Sequence, residues 1–496
     1  MKKKILWLVF ACYVGLSGYT ISHHELWGDE VHSWNICKGS GPYTVLLANS
    51  RYEGHPPAWY TILWTITRFT HKTDYMQVAQ WTIACAVVFL ILFYSPFPTV
   101  TKILLSFGYY FLYEYAVLSR NYAIGVLLAC CICLIIRKEF RYQPILYYLL
   151  LFCLSNTHLL ALLLAGSLHL YYLLWKWEQK RTTRVILFHT LTGTLIFLPA
   201  LYFIFPPSDS QLNMQYWQAN WNFHHIKELV QAPLRAFLPM PAWWNYNSWN
   251  TEFLLEAKIH HPFIKFINPL IAFSLLALVF FIFRKNKKCL ALFTGNTILS
   301  FIIALVFFPL TTARYAGYIY ISFVVTAWLY SDETPLAGNN RRLIHMLLIL
   351  QLIAGLFAVV KDIRLPFSNL PTVNELIKEV PANERWVTDY WTMNTIVAVT
   401  DRPVYCIDLE KEISFILWKR QLTVRQTTPD RYTSGLHHLF QKDEMSSVYM
   451  ITQNAPDLLS EIDPQLSVSF HVALIDKREG AIDRGSNLYL YRITKN

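Results

Sequence analysis

Long apolar runs separated by short polar and basic segments dominate the first 360 residues of the chain. An apolar run of about 18 residues or more is long enough to cross a bilayer as a helix. The pattern predicts about eleven such spans, near residues 5–22, 76–95, 100–117, 121–136, 143–157, 159–175, 185–206, 263–283, 289–309, 315–331 and 343–360. We therefore expect residues 1–360 to form a mainly α-helical, polytopic membrane bundle.

The basic residues predict the orientation of these spans. Lysines and arginines cluster at the N-terminus and in alternate loops, at residues 137–141, 176–184, 284–288 and 341–342. Loops rich in these residues stay in the cytoplasm, so we expect a cytoplasmic N-terminus and a first run that is retained as a span. The segment 57–70 is apolar but short, and counting it as a span would invert the later loops. It is predicted to be a helix in the outer interface.

From residue 361 the pattern changes to short segments in which apolar and polar positions alternate. Strands are predicted at residues 384–390, 402–408, 446–452, 469–475 and 487–494, with helices at 372–380 and 456–462 between them. Strands alternating with helices predict a small α/β domain over 361–496, and the order of spans places it outside the membrane. Neither a Gly-rich phosphate loop nor a nucleophile elbow occurs in it, so we expect a structural or acceptor-binding role.

Composition agrees with a membrane protein, since 54% of the residues are hydrophobic and only 15% are charged. A soluble chain would carry about 25% charged residues. The net charge of +11 does not indicate nucleic-acid binding, because the basic residues lie in short clusters between apolar runs. Membrane lipids, and no nucleic acid, are the expected partners.

Two acidic clusters follow the first predicted span on its outer side. Asp29 and Glu30 lie in WGDEVHSW, and Glu53 and His55 lie in RYEGHPPAWY. A carboxylate at such a position can act as a general base. Each acid also has a structural interpretation: Asp29 or Glu30 suits the first turn of a helix over residues 31–38, Glu30 more so. Glu53 and His55 suit a loop whose prolines begin the next helix. Their shared side favours catalysis.

Two arginines, each closely followed by a tyrosine, lie at other predicted outer boundaries. Arg120 and Tyr122 lie in LSRNYA, and Arg314 and Tyr315 in TTARYAG. Such arginines anchor helices in membranes, or they bind a phosphate through a bidentate fork. His158, in SNTHLL, is by itself best interpreted as a satisfied polar residue. Together with the carboxylates, these residues suit the transfer of a sugar from a lipid phosphate to a hydroxyl group. The sequence contains no nucleotide-binding motif that would indicate a different donor.

With these motifs, the chain resembles the GT-C membrane glycosyltransferases. It is most similar to the bacterial dolichyl-phosphate-mannose-protein mannosyltransferase-like proteins (family 39-like), which are also similar to the lipid A aminoarabinose transferases. The resemblance rests on five short motifs, WGDEVHSW, RYEGHPPAWY, LSRNYAIGVLL, SNTHLLALLL and TTARYAGYIY, which occur in order over residues 4–330. It implies a GT-C-like fold and the inverting transfer of a sugar from a polyprenyl-phosphate donor to a hydroxyl of a lipid, glycan or protein acceptor. The reaction would take place on the outer, periplasmic face of the cell inner membrane.

By this resemblance Asp29 is the base, Glu30 and Glu53 orient acceptor or donor, and Arg120 and Arg314 contact the donor phosphate. The predicted catalytic residues are thus Asp29, Glu30 and Glu53, and the predicted substrate-binding residues are His55, Arg120, Tyr122, His158, Arg314 and Tyr315. No cofactor is required by the pattern. A divalent metal at Glu53 stays open, with His224, His225, His260 or His261 as further ligands, because His55 stands where some relatives have lysine.

Three other functions compete with this hypothesis. A glycan ligase or polymerase of the same fold would take a glycan linked to a lipid diphosphate. A polytopic lipid or solute transporter would place ionisable residues in mid-membrane, whereas the predicted mid-span segments are nearly free of charge. A non-catalytic scaffold would work through its C-terminal domain alone.

Overall fold

The structure is a computed structural model that describes residues 2–212, 223–307, 310–334, 338–421, 429–442 and 445–496. Its helical part comprises α1 (Lys2–His23), α2 (Gly28–Gly39), α3 (Tyr43–Ser50), α4 (Ala58–Thr67), α5 (Asp74–Tyr94), α6 (Thr99–Ser106), α7 (Tyr122–Ile135), α8 (Gln143–Ser155), α9 (Leu159–Glu178), α10 (Thr183–Ile204), α11 (Phe223–Phe237), α12 (Phe253–His260), α13 (Ile264–Phe283), α14 (Lys287–Val306), α15 (Ala313–Glu333) and α16 (Gly338–Arg364).

Within the described residues, seven helices are long and apolar enough to cross a membrane, which indicates a membrane protein. They are α1, α5, α9, α10, α13, α14 and α16, and each matches a span predicted from the sequence. The total of about eleven spans is not confirmed. The runs near 121–136 and 143–157 form the shorter helices α7 and α8. The run near 100–117 is broken, because α6 ends at Ser106 and a π-helical turn follows at Tyr110–Glu114.

The predicted span near 315–331 is α15, the most deeply buried long helix of the bundle. Nearly all of its side chains from Ala313 to Tyr330 are buried, and it packs against α7, α9, α11 and α14. A helix that is buried on all sides belongs to the protein interior rather than to the lipid-facing surface. Its Tyr318 hydroxyl donates a hydrogen bond of 2.7 Å to the carbonyl oxygen of Tyr122. This contact fixes the beginning of α7 against α15.

The C-terminal α/β region, residues 365–496, contains a six-stranded mixed sheet with the strand order β3-β2-β1-β4-β6-β5. The strands are β1 (Trp386–Thr388), β2 (Val404–Cys406), β3 (Lys411–Ile413), β4 (Ser447–Thr452), β5 (Phe470–Arg478) and β6 (Leu488–Lys495). The helices are α17 (Val373–Glu379), α18 (Tyr390–Thr400), α19 (Arg431–Lys442), α20 (Pro456–Ile462) and α21 (Leu466–Ser469). Strand β1 is parallel to β2 and β4, and the other pairs are antiparallel.

All five predicted strands of this region are present, as are the predicted helices α17 and α20. Strand β3 was not predicted, because it has only three residues and lies at the sheet edge, where little apolar alternation is required. Helix α18 was not predicted either, and its polar and apolar residues pack against α2 of the bundle. The α/β region is therefore docked on the helical part, on the side where α2 and its neighbouring loops lie.

Candidate functional site

A cavity of about 480 Å³ lies beside the N-terminal turns of α2, α7 and α15. Eight of the nine residues predicted to bind substrate or to act in catalysis line it: Asp29, Glu53, His55, Arg120, Tyr122, His158, Arg314 and Tyr315. These residues come from segments spread over almost 300 positions of the sequence. Their convergence on one cavity is the central geometric finding. Glu30 is the one predicted site residue that does not line the cavity.

Asp29 lies in the first turn of α2 and points at both predicted arginines. Its Oδ2 is 3.3 Å from Arg314 Nη2 and 3.7 Å from Arg120 Nη2. The side chain of Asp29 is 41% exposed, and it lines the cavity. Burial alone would raise the pKa of this carboxyl group, but the charges of Arg120 and Arg314 outweigh burial and lower it. Asp29 is therefore ionised at neutral pH and accessible to a ligand.

Glu30 faces away from the cavity and is completely buried. Its Oε2 accepts a hydrogen bond of 3.0 Å from the backbone N–H of Trp27 at the beginning of α2. Its Oε1 accepts a short hydrogen bond from the backbone N–H of Ser119, the residue before Arg120. These contacts are those of a helix cap that also holds the neighbouring loop. Glu30 thus lies next to Arg120 in space, without direct access to a substrate in the cavity.

Glu53 and His55 reach the cavity from a tight reversal of the chain. Glu53 ends a 3₁₀ turn, and Gly54 follows with a φ of 64°, in the left-handed region that favours glycine. Two prolines then lead into α4. Burial, and after it the charge of Arg120, lowers the pKa of His55 to about 4, so its ring is neutral at pH 7. The predicted helix at 57–70 is confirmed as α4; its place in the membrane interface stays a prediction.

His158 and two tyrosines, Tyr122 and Tyr315, also line the cavity. His158 is the N-cap of α9, and its Nδ1 accepts a hydrogen bond of 3.3 Å from the backbone N–H of Ala161. Its ring centroid lies 4.9 Å from that of Tyr122. Arg314 lies 5.3 Å from the ring centroid of Tyr315, a cation–π arrangement. His158 is thus partly satisfied, as the structural interpretation predicted, and it also lines the cavity.

Several buried polar atoms at the cavity have no hydrogen-bond partner among the described residues. They are Nε and Nη1 of Arg314, Nε of Arg120, Nδ1 of His55, Nε2 of His158 and Oε1 of Glu53. Leaving a buried polar group unpaired costs free energy, and most such groups in proteins are paired with protein, water or ligand. Three of these atoms are guanidinium nitrogens beside Asp29. The site therefore offers unused donors to an anion.

The ligand set considered for a metal does not form around Glu53 in the described part of the chain. Glu53 Oε2 instead lies 2.7 Å from His32 Nε2 and accepts a hydrogen bond of 3.1 Å from Trp418 Nε1. His225, His260 and His261 do not line the cavity, and the side chain of His224 lies outside the described residues. No group of three or more His, Cys, Asp or Glu residues suited to a metal occurs among the described residues.

The sequence pattern did not indicate several other residues that line this cavity, among them His32 and Trp418. His32 follows Asp29 by three positions on α2, so helical spacing places both on one face and was a usable signal. Trp418 comes from the C-terminal α/β region, almost 400 residues after Asp29. Nothing in the local sequence around it indicates this contact. Comparisons of the chain with protein-family models and with curated proteins find no match.

Proposed function

We propose that the protein is an integral membrane glycosyltransferase that moves a sugar from a polyprenyl-phosphate donor to an acceptor hydroxyl with inversion. The observation that carries the proposal is Asp29, which lies accessible in the cavity between two arginines with unused N–H groups. A carboxylate and two guanidinium groups in one site match the two charges that such a transfer must handle. They are the proton of the acceptor and the negative charge on the departing phosphate.

In the proposed step, Asp29 takes the proton of the acceptor hydroxyl as the oxygen forms a bond to the anomeric carbon. The bond from that carbon to the phosphate oxygen breaks, and its electron pair stays on the leaving polyprenyl phosphate. Arg120 and Arg314 stabilise this charge through charge-assisted hydrogen bonds. Attack on the face opposite the leaving group inverts the anomeric configuration.

Binding of the donor would also tune the base. Both arginines lower the pKa of Asp29, which makes it a weak base. A bound phosphate shares these guanidinium groups and adds negative charge nearby, and both effects raise the pKa of a carboxyl group. Asp29 would thus become more basic when the donor is bound, so it would accept the proton of the acceptor most readily in the complex that can react.

The remaining residues of the cavity suit a sugar and its lipid. His55, Tyr122, His158 and Tyr315 provide polar and aromatic groups for the sugar and phosphate. Leu159, Leu160 and Leu212 give part of the lining an apolar character that suits a lipid chain. We place this cavity and the C-terminal α/β region on the outer side of a bacterial-type inner membrane, following the charge pattern of the loops.

The test is transfer by the purified protein in lipid nanodiscs, with a panel of polyprenyl-phosphate hexoses and pentoses as donors. Asp29→Asn should lower kcat by roughly a hundredfold or more. Asp74→Asn is the matched control, since Asp74 also lies in the first turn of a helix but does not line the cavity. The control should keep wild-type activity. Mass spectrometry of the lipid-linked sugar that accumulates when the gene is removed would identify the donor.

Three results would contradict the proposal. Asp29→Asn with full activity removes Asp29 as the base. Consumption of lipid-diphosphate glycans alone would indicate the ligase or polymerase. Flux of lipid or solute into vesicles without any sugar transfer would indicate the transporter.

A further inference from the structure

A line of hydrogen bonds runs from the C-terminal α/β region to Glu53 in the cavity. Trp418 Nε1 donates to Glu53 Oε2 over 3.1 Å, and His32 Nε2 lies 2.7 Å from the same oxygen. On the other side of the imidazole ring, Asn394 Nδ2 lies 3.0 Å from His32 Nδ1. Burial opposes the charged form of the ring, but the Glu53 carboxylate outweighs burial and raises the pKa of His32, so Nε2 carries a hydrogen and donates it to Glu53. Two residues of the α/β region thus act on one carboxylate, directly and through His32.

Both residues are themselves held in place. The backbone carbonyl oxygen of Trp418 accepts hydrogen bonds from Ser210 Oγ, at 3.0 Å, and from the backbone N–H of Gln211, at 2.8 Å. The backbone carbonyl oxygen of Asn394 accepts a hydrogen bond of 2.9 Å from Asn35 Nδ2 on α2. Side chains fixed in this way restrict the orientation of the groups they contact. The indole and the amide are therefore built into the interface rather than lying loosely against it.

The two oxygens of Glu53 have different surroundings. Oε2 is occupied by His32 and Trp418, whereas Oε1 is buried and has no hydrogen-bond partner among the described residues. The Glu53 side chain is only 4% exposed, and Glu53 lines the cavity. A buried carboxylate oxygen accepts hydrogen bonds only, and its natural partner is an O–H or N–H group. A sugar hydroxyl in the cavity would provide such a donor.

We infer that Trp418 and Asn394 are positioning residues that orient Glu53 and His32, so that Glu53 Oε1 accepts a hydrogen bond from a hydroxyl of the transferred sugar or the acceptor. This inference rests on the proposed glycosyl transfer and extends it to the C-terminal α/β region. The region then completes the active site instead of serving as a separate binding module. Neither residue takes part in bond making or breaking.

The experiment is a double-mutant cycle with Trp418→Phe and Glu53→Leu, measured as kcat/KM for sugar transfer. Leucine is similar in size to glutamate and removes the acceptor oxygens. Phenylalanine keeps most of the ring and removes the N–H donor. In the presence of Glu53 this change should lower kcat/KM about tenfold, the usual effect of losing a hydrogen bond to a charged group. In the Glu53→Leu background it should have an effect of less than about twofold, because the acceptor of the Trp418 N–H is then absent and the two changes are not additive.

Two further comparisons separate positioning from simple packing. Trp391→Phe is the matched control, since Trp391 packs beside Trp418 with ring centroids 5.6 Å apart but does not line the cavity. It should leave kcat/KM unchanged in both backgrounds. His32→Gln, which keeps a donor for Glu53, should retain more activity than His32→Leu, whereas a role in packing would be served equally by leucine. Asn394→Ala should lower kcat/KM in the same direction as Trp418→Phe.

Equal losses for Trp418→Phe in both backgrounds, or no loss in either, would overturn the inference. A cycle of the melting temperature Tm over the same four proteins tests the contact without any substrate. If the wild-type protein transfers no sugar, the proposed function is wrong. The Tm cycle then remains as the test of the contact between Trp418 and Glu53. Additive Tm changes would then overturn the positioning arrangement, and coupled changes would support it.

Discussion

Asp29 is held by two opposing physical effects, and their balance determines what it can do. Burial favours the neutral acid, while Arg120 and Arg314 favour the carboxylate. The N-terminus of α2 adds a partial positive charge that favours the same ionised form. A carboxylate stabilised in this way is a poor base until something weakens its cationic neighbours. The phosphate of the lipid-linked donor, when bound by the two arginines, would do so.

The opposition of burial and the two arginines at Asp29 predicts different pH dependences for kcat/KM and for kcat. A carboxyl group with a lowered pKa is ionised at neutral pH and loses its charge only as the pH falls through that lowered value. The acid limb of kcat/KM reports the free enzyme and should therefore lie at lower pH than the acid limb of kcat, which reports the enzyme with its donor bound. Rates of transfer measured over a pH series, at limiting and at saturating donor, provide both limbs.

The variant Arg120→Gln provides the control for this prediction. Removing one neighbouring cation should move the acid limb of kcat/KM to higher pH, by roughly one to three units. Coincident limbs in the wild-type protein, or a shift of the variant to lower pH, would show that Asp29 is not the titrating base.

At the scale of elements, short turns rather than long helices bring the site together. Gly54 separates Glu53 from His55, and its left-handed backbone conformation lets both side chains reach the cavity. A Cβ atom at this position would lie 3.6 Å from Leu212 Cδ1 and 3.7 Å from the carbonyl oxygen of Ile204. These are ordinary contact distances, so the backbone conformation alone should decide the effect of a substitution.

Gly54→Ala should therefore lower the stability by about 1 kcal/mol, the usual cost of the left-handed region for a side chain. The transfer rate should fall with it, because Glu53 and His55 are displaced together. Gly54→Asn should be milder, since asparagine tolerates this region better. The measurements are Tm and kcat. Gly15→Ala in α1 is the control, with nothing within 4 Å of its added Cβ, and equal behaviour of the two alanine variants would contradict the argument.

The sequence carried more information about elements than about their arrangement. Long apolar runs predicted the seven long apolar helices, and the alternation of apolar and polar positions predicted five of the six strands. Both patterns follow directly from burying a whole run or one face of an element. The predicted span near 100–117 does not form one continuous helix, because an apolar run does not reveal a π-helical turn inside it. Eight predicted site residues share a cavity because each lies at the end of an element on the same side.

What the sequence could not reveal was the contact between distant parts of the chain. The first-turn position already favoured a helix-cap role for Glu30, but only the fold shows that its other oxygen accepts a hydrogen bond from the backbone N–H of Ser119, 89 positions along the chain. Trp418 lies in a segment without strand or helix periodicity, so its approach to Glu53 is a property of the docked molecule. Tertiary contacts of this kind have no local signature.

At the scale of the whole molecule, the C-terminal α/β region is attached to the helical part at several separate places. One contact is the ion pair of 2.7 Å between Lys38 at the end of α2 and Asp401 after α18. Another is the hydrogen bond of 2.7 Å from Asn247 Nδ2 to the carbonyl oxygen of Ala481. Attachment at two separate places resists rotation of the region, which a positioning role for Trp418 requires.

Gly39 provides the sharpest test of this docking. It is the last residue of α2, and a Cβ atom there would overlap the ring of Phe415, three residues before Trp418. Gly39→Ala should therefore push the segment of Phe415–Trp418 away from the cavity and lower kcat about tenfold, since overpacking typically costs about 1–3 kcal/mol. The helical content and the fold of the α/β region should be preserved, because the clash lies at the interface between the two parts.

Gly41→Ala is the matched control, two positions along the chain, with nothing within 4 Å of the added Cβ. It should keep the wild-type rate. The approach of Trp418 can be followed separately, through limited proteolysis of the segment around Phe415, which should be faster in Gly39→Ala than in Gly41→Ala. If Gly39→Ala is cleaved faster but transfers sugar at the wild-type rate, the region docks without contributing to the reaction. If faster cleavage is accompanied by a lower kcat, the docked position of the α/β region determines the rate of the reaction in the cavity.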